Sequence, residues 1–495
     1  MSRVRRALIV ATAIGLAVPM LHLTAPTSVA ATGCNPDNAV AGDLNSDGVA
    51  DVVVGVPDYD GERGAVDIAF SDGTRSFRTA ASLGLTSNPG DRFGESVATA
   101  DVDNDGCDDL AVGAPGYDSS KGRVSLLFGR TDHTLAMGST LTGTAAHGSF
   151  GAQVLLLTTE KLTATGYVRT GQQLVASAPT ADDGSAWEAG QVVVQPLTSS
   201  GALGSGKVTI TQNSPGVPGS SENGDRFGTA LAGQGRAIVI GTPNEAVGTR
   251  SNAGSVTMLS ATDAAPTTFA GVGVTQNSAG VPGTAESGDR FGEAVAYRDH
   301  YVLVGVPGET IGTATYTGQV HVLNFNPATR TVKSLRAVNQ NTAGIPGANE
   351  TGDYFGSSVA LGVNTVDQLS AVVGAPGEAI GSVLGAGAVT MFRANKAGGF
   401  AWSVRQGDGY IAGTPEAADH FGATVSVLGG DLADGESMVD GVVIGAPGED
   451  IGTINDAGSV TWTRSTDVWN SLLLEDTGAV DPPADTHFGA TLATP

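Results

Sequence analysis

Seven short apolar runs in this chain end in proline: VVVGVP at Pro57, LAVGAP at Pro115, ASAP at Pro179, IGTP at Pro243, VGVP at Pro307, VGAP at Pro376 and IGAP at Pro447. Runs of four to six β-branched and small residues bounded by proline and glycine predict short buried strands. A second signal keeps step with them. Phe93, Phe150, Phe227, Phe291, Phe355, Phe421 and Phe488 are each followed by glycine, at intervals of 57 to 77 residues. Each Phe-Gly except the last precedes one apolar run by 16 to 29 residues. The polar segments between them are dense in Gly, Asn, Asp and Ser, which predicts turns and leaves no room for long helices.

Self-similarity at a fixed period outranks any local reading. The run ending at Pro57 has no Phe-Gly before it, and the Phe-Gly at Phe488 has no run after it. If the units form a ring, the C-terminal segment FGATL at 488–492 supplies what the first unit lacks. An open solenoid would have no such complementarity and would carry atypical capping units at both ends. The expectation is an all-β, seven-bladed β-propeller over residues 31–495, with four-stranded blades and a ring closed by the C-terminal strand.

Within the repeats, Asp91, Asp225, Asp289, Asp353 and Asp419 lie two residues before Phe, where a carboxylate satisfies turn N–H groups. The phenylalanines are expected to wedge between neighbouring sheets. Gln212, Gln276, Gln340 and Gln406 recur fifteen residues before Phe, and Glu222, Glu286, Glu350 and Glu416 five before it.

Two segments are more than repetition. Asp43-Leu44-Asn45-Ser46-Asp47-Gly48-Val49-Ala50-Asp51 and Asp101-Val102-Asp103-Asn104-Asp105-Gly106-Cys107-Asp108-Asp109 both read D-x-[DN]-x-D-G-x-x-D. Oxygens at alternate positions, a glycine for the sharp turn and the seventh-position carbonyls of Val49 and Cys107 describe a hard-oxygen cage suited to Ca²⁺. An EF-hand would carry Glu at position twelve, where Val54 and Val112 stand, and strand-like sequence follows. Two Ca²⁺ ions in hairpin loops are expected, at Asp43, Asn45, Asp47, Val49 and Asp51 and at Asp101, Asp103, Asp105, Cys107 and Asp109. The second loop offers more carboxylates and is expected to bind more tightly.

Phe-Gly, a hairpin carrying this acidic loop, then Gly-Ala-Pro resembles the FG-GAP repeat of integrin α-subunit propellers and their bacterial secreted relatives. The resemblance covers residues 39–495. It implies that the Phe-Gly and Gly-Ala-Pro strands open each blade and that the Ca²⁺ loops share one face of the disc. The loops between strands two and three, and those entering the next blade, would then lie on the opposite face, which such proteins use for partners. Integrins place their metal loops in later blades, whereas here the first two carry them.

On that mapping Glu245, Glu309, Glu378 and Glu449, each just after the proline, join Glu222, Glu286, Glu350 and Glu416 in an acidic partner face. Such a face attracts basic protein segments or hydrogen-bonds sugar hydroxyls.

Composition agrees. The 495 residues include 72 Gly and carry a net charge of −25, which disfavours nucleic acid as a partner. Arg3, Arg5 and Arg6 before an apolar stretch and the small residues at 28–31 read as a secretory leader over residues 1–30. No later stretch is long enough to span a bilayer. Cys34 and Cys107 are expected to form one disulfide in an exported chain, with lipidation of Cys34 as the lesser alternative.

The reading is a secreted or cell-wall-associated, monomeric, Ca²⁺-binding adhesion module for an extracellular protein or polysaccharide, and not an enzyme. The alternative is a secreted esterase or glycosidase on the same scaffold. The sequence offers neither G-x-S-x-G nor H-E-x-x-H, and the run Gly201–Val208 (GALGSGKV) leads into a strand rather than the helix a phosphate loop needs.

Overall fold

The apolar run before each proline is a strand covered on both faces. In Tyr301–Val306, Val302, Val304 and Val306 pack with Val256, Met258 and Phe291, while Leu303 points the other way, onto Phe355 and Val373. Successive side chains alternate across a strand, so an unbroken apolar run requires sheets on both sides. The same division recurs one unit later: Val373 packs on one side of Leu369–Ala375 and Val372 on the other.

The computed structural model describes residues 33–36, 40–163, 166–262, 268–363, 369–396, 401–409, 411–429, 441–465, 468–473 and 484–493. The leader expected over residues 1–30 lies outside them. The described strands form seven four-stranded antiparallel sheets. Blade 5 is representative: Val295–Arg298, Tyr301–Val306, Gln319–Asn326 and Thr331–Val338 pair in chain order. Blade 1 is the composite one. Its strands Val52–Val56, Ala65–Ala69 and Arg75–Thr79 are joined by Thr491–Leu492, with Val54 opposite Leu492 and Gly55 opposite Thr491. The innermost strands neighbour one another all the way round, Thr491–Leu492 lying between Thr424–Val427 of blade 7 and Ser96–Ala100 of blade 2. The chain is a closed seven-bladed β-propeller, as the orphaned half-repeats require.

Apolar side chains are gathered into seven clusters among the described residues, each between two successive blades. The repeat phenylalanines are the wedges: six are fully buried, and Phe150 is 3% exposed. The glycines of the repeat have a joint explanation. A Cβ at Gly305 would lie 2.0 Å from the carbonyl oxygen of Gly356, the glycine after Phe in the next blade. The same approach recurs from Gly445 to Gly489 at 1.9 Å. Blades that carry glycine at the Gly-Ala-Pro position are thereby set against the next with no room for a side chain there; blade 3 instead has Ser177.

Candidate metal centres and the opposite face

The second acidic loop is a hairpin joining the first and second strands of blade 2, Ser96–Ala100 and Asp109–Ala114, whereas the first leads into Val52–Val56, the second strand of blade 1, whose inner strand comes from the other end of the chain. In the first, Asp43 Oδ1 accepts the N–H groups of Asn45 and Asp47, both at 3.2 Å, and its Oδ2 accepts that of Gly48 at 2.7 Å. Asp51 closes the turn by accepting Leu44 N–H at 2.9 Å and Ser71 N–H at 3.1 Å. The second loop repeats this scheme. Asp101 accepts the N–H groups of Asp105 and Gly106 at 3.2 Å, and Asp109 accepts those of Val102 at 2.9 Å and Gly129 at 3.2 Å. Gly48 and Gly106, at φ +88° and +100°, make the sharp turn for which the motif needs glycine.

Carboxylate oxygens of Asp101, Asp103 and Asp109 lie within 4.8 Å of one another. Asp43, Asp51, Asp101 and Asp109 are buried, at 0–3% exposure. Burial, helped by mutual repulsion, pushes Asp51 and Asp109 up to about 8 and raises Asp43, Asp103 and Asp105. Crowded, desolvated carboxylates whose backbone bonds leave further lone pairs free are a donor set that fits a hard divalent cation. Asp47, Asp105 and Val49 are exposed on the outer side of the loops.

The two loops are also bonded to each other. Asp108 N–H donates to the Asp43 carbonyl at 2.7 Å, and the Asp108 carboxylate accepts Gly42 N–H at 2.5 Å. The Cys34–Cys107 disulfide forms as expected, which excludes a free Cys34 in this structure. It draws the Cys34–Pro36 segment over Gly106, whose Cβ would meet the Asn35 carbonyl carbon at 2.3 Å, while Asn35 N–H donates to Ser46 Oγ at 2.9 Å. One strap thus spans both loops.

The opposite face is built otherwise than the sequence suggested. Glu245, Glu309, Glu378 and Glu449 are half-buried, and each accepts a hydrogen bond from the amide of a buried glutamine: Gln212 at 2.6 Å, Gln276 at 2.5 Å, Gln340 at 2.5 Å, and Gln406. Of the eight glutamates expected on that face, Glu222, Glu286, Glu350 and Glu416 are the exposed ones. The aspartates two before Phe behave as expected: Asp225 and Asp289 each accept the N–H three residues back, at 2.6 Å.

Burial raises Glu245, Glu309 and Glu449 to about 7, the glutamine amide only partly countering it. Between the ordinary value of 4.5 and about 7 the folded chain holds protons that the unfolded chain has shed. Stability from these groups is therefore lost as pH rises through that window. In saturating calcium chloride, the melting temperature should fall between pH 5 and pH 8, and the triple variant E245Q/E309Q/E449Q should flatten that slope, with Asp353, Glu378 and Asp419, which burial also raises, keeping the remainder. An unchanged slope in the triple variant counts against the assignment.

The FG-GAP repeat family matches residues 93–127, a span that contains the second acidic loop and runs from Phe93 through the Gly-Ala-Pro strand. The chain is a β-propeller that carries an FG-GAP repeat. It resembles the N-terminal domain of integrin α-subunits: human integrin alpha-IIb is 39% identical over 123 residues, covering 23% of this chain. The chain spans 11% of the length of that relative. Among solved structures, a "putative 6-phosphogluconolactonase" of Bacteroides uniformis aligns with 86% of this FG-GAP propeller and 96% of its own chain, at 10% identity and a TM-score of 0.48. A protein of Lactobacillus plantarum aligns with 89% of this chain and 98% of its own, at 12% identity and a TM-score of 0.45. At that level the likeness says nothing about chemistry. No helix among the described residues is long and apolar enough to cross a membrane.

Proposed function

We propose that this FG-GAP propeller is an extracellular binding module whose first two blades are held in shape by two Ca²⁺ ions. The observation that carries the reading is the pair of acidic loops in consecutive blades, alike in phase and in hydrogen bonding, with Asp101, Asp103 and Asp109 converging. Asp43, Asn45, Asp47 and Asp51, with the Val49 carbonyl, would hold one ion; Asp101, Asp103, Asp105 and Asp109, with the Cys107 carbonyl, the other. Bound there, the ion supplies positive charge that neutralises the buried carboxylates and draws the loop ends together. The chain's own part is to hold the loop turns and brace the two loops against each other through Asp108 and the disulfide.

A binding role is supported by the disulfide, by the likeness to an integrin α-subunit, and by exposed chemistry on the opposite face. There Tyr316 and Tyr354 stand half-exposed with ring centroids 5.7 Å apart, near the exposed Glu350. The partner is an extracellular protein or polysaccharide. The test is capture from culture supernatant and cell-wall extract on immobilised full chain, with calcium and with chelator, beside a panel of ester and glycoside substrates. Calcium-dependent capture without turnover is the expected result. Turnover of any substrate in the panel, lost on chelation, would replace the binding reading with the hydrolase one.

A further inference from the structure

Seven residues immediately precede the seven repeat phenylalanines: Arg92, Ser149, Arg226, Arg290, Tyr354, His420 and His487. All seven adopt left-handed φ between +50° and +60°, and each N–H donates to a carbonyl of the preceding blade at 2.7–3.1 Å. The ring of repeats therefore presents seven side chains at equivalent stations on the face opposite the metal loops.

At one station the molecule shows what fits between two cationic members of that set. Asp58, the residue after Pro57 in blade 1, lies between His487 of its own blade and Arg92 of the next. Its Oδ2 is 2.9 Å from His487 Nδ1, and its Oδ1 accepts Arg92 Nη1–H at 2.7 Å. The remaining edge of Arg92 is taken by Glu95, three residues on, at 2.7 Å.

Blade 4 reproduces this station without the carboxylate. The residue after Pro243 is Asn244, flanked by Arg226 of its own blade and Arg290 of the next. Arg290 repeats Arg92 in detail: its Nε and Nη2 bond Glu293, three residues on, at 2.7 and 2.8 Å. Its Nη1, the atom that in Arg92 holds Asp58, has no partner among the described residues. Arg226 likewise spends Nε and Nη2 on Glu188, at 3.0 and 2.6 Å, and its Nη1 has no partner among the described residues. Between them is a cavity of about 190 Å³ lined by Pro179, Thr180, Arg226, Thr229, Asn244 and Arg290. In a chain of net charge −25 none of these six is acidic.

We propose that this cavity is a binding site for a carboxylate carried by a hydroxylated ligand, that is, an acidic sugar of the uronic-acid kind, seated where Asp58 sits in blade 1. The two Nη1 groups, on arginines that both line the cavity, supply charge-assisted donors of the kind that hold carboxylates. The rest of the lining adds neutral polar groups. Asn244 gives one Nδ2–H to the Gly224 carbonyl at 3.1 Å and keeps Oδ1 and its second N–H, and Thr229 spends its hydroxyl proton on the Arg226 carbonyl at 2.8 Å, which leaves its lone pairs. Those acceptors suit sugar hydroxyls. The proposal rests on the reading of the chain as a binding module and gives it one ligand class.

The experiment is calorimetric titration of the full chain, in calcium, with sodium glucuronate, with glucose and with acetate, on the wild type, Arg290→Gln and Asn244→Asp. Asn244→Asp supplies the internal carboxylate that blade 1 already has, so it should fill the site while folding normally; its melting temperature, unchanged or raised, shows that it does. Glucuronate should bind at least tenfold more tightly than acetate or glucose, and each variant should lose at least tenfold. Glucuronate that does not bind, glucose that binds equally, or Asn244→Asp that binds as the wild type does would each overturn the proposal. A chain that captures an extracellular partner yet ignores glucuronate overturns this site alone. One that captures nothing yet binds glucuronate through Arg290 upholds the site while the broader module reading fails.

Discussion

Chelation should lower the melting temperature of this propeller by several degrees, and added calcium should restore it. A ligand that binds only the folded state stabilises it by about 2.7 kcal/mol per site when present at a hundred times its dissociation constant. Two sites make that a large share of the roughly 5–15 kcal/mol that holds a domain together. The sign follows from the loops. Without a cation, Asp43 and Asp51 crowd one turn and Asp103 and Asp109 the other, in desolvated surroundings that favour their neutral acids. The second loop has three carboxylates converging within 4.8 Å and the disulfide at its seventh position, so it should fill first. Calorimetry should resolve two calcium ions per chain, and Asp101→Asn should remove the tighter phase while leaving the weaker one. A melting temperature indifferent to chelator, or a titration with no heat, would sink the calcium reading. Loss of both phases in Asp101→Asn would instead mean that the bonds through Asp108 make the two loops one cooperative unit.

The parts of the structure that were legible in the sequence are those that repeat or that leave no alternative. Phe-Gly and the proline-ended runs recur, so blade number and closure followed from counting. The disulfide followed from there being only two cysteines. What was not legible depends on loops meeting across a distance. Gln276 and Glu309 are 33 residues apart, and nothing in either residue's neighbourhood announces that the amide will hold the carboxylate half-buried rather than leave it on an acidic surface. The strap from Cys34 to Pro36 was visible as a disulfide, but its passage over both acidic loops was not. The blade 4 cavity lay in plain sight as a departure: Asn244 and Thr180 stand where Gly308, Gly377 and Gly448 follow the proline in later blades. Repetition makes the consensus easy to read, and the same repetition hides the significance of single positions that break it.

Removing residues 486–495 should abolish the folded monomer, an effect far larger than ten terminal residues would have on an open repeat array. In a solenoid the last unit touches one neighbour, and losing its edge frays the end. Here the missing segment is the inner strand of blade 1 and touches both sides of the seam. Thr491–Leu492 pairs with Val52–Val56, Phe488 is fully buried in the cluster between blades 7 and 1, and Thr424 donates its hydroxyl to the Gly489 carbonyl at 2.6 Å. Phe488→Ala alone should cost about 3–5 kcal/mol, the usual range for emptying a phenylalanine site. Gly55→Ala probes the seam without removing anything. Its Cβ would meet the Gly94 carbonyl oxygen at 1.9 Å and Thr491 Cβ at 3.0 Å, so blade 1 must shift away from blade 2 or release the closing strand. Thermal melts and near-ultraviolet circular dichroism would rank the three, with Phe488→Leu retaining most of the stability because it keeps most of the buried volume. If the truncated chain melted within a degree or two of the intact one, the ring would not be what holds the blades together, and the stability would have to reside in pairwise contacts between neighbours.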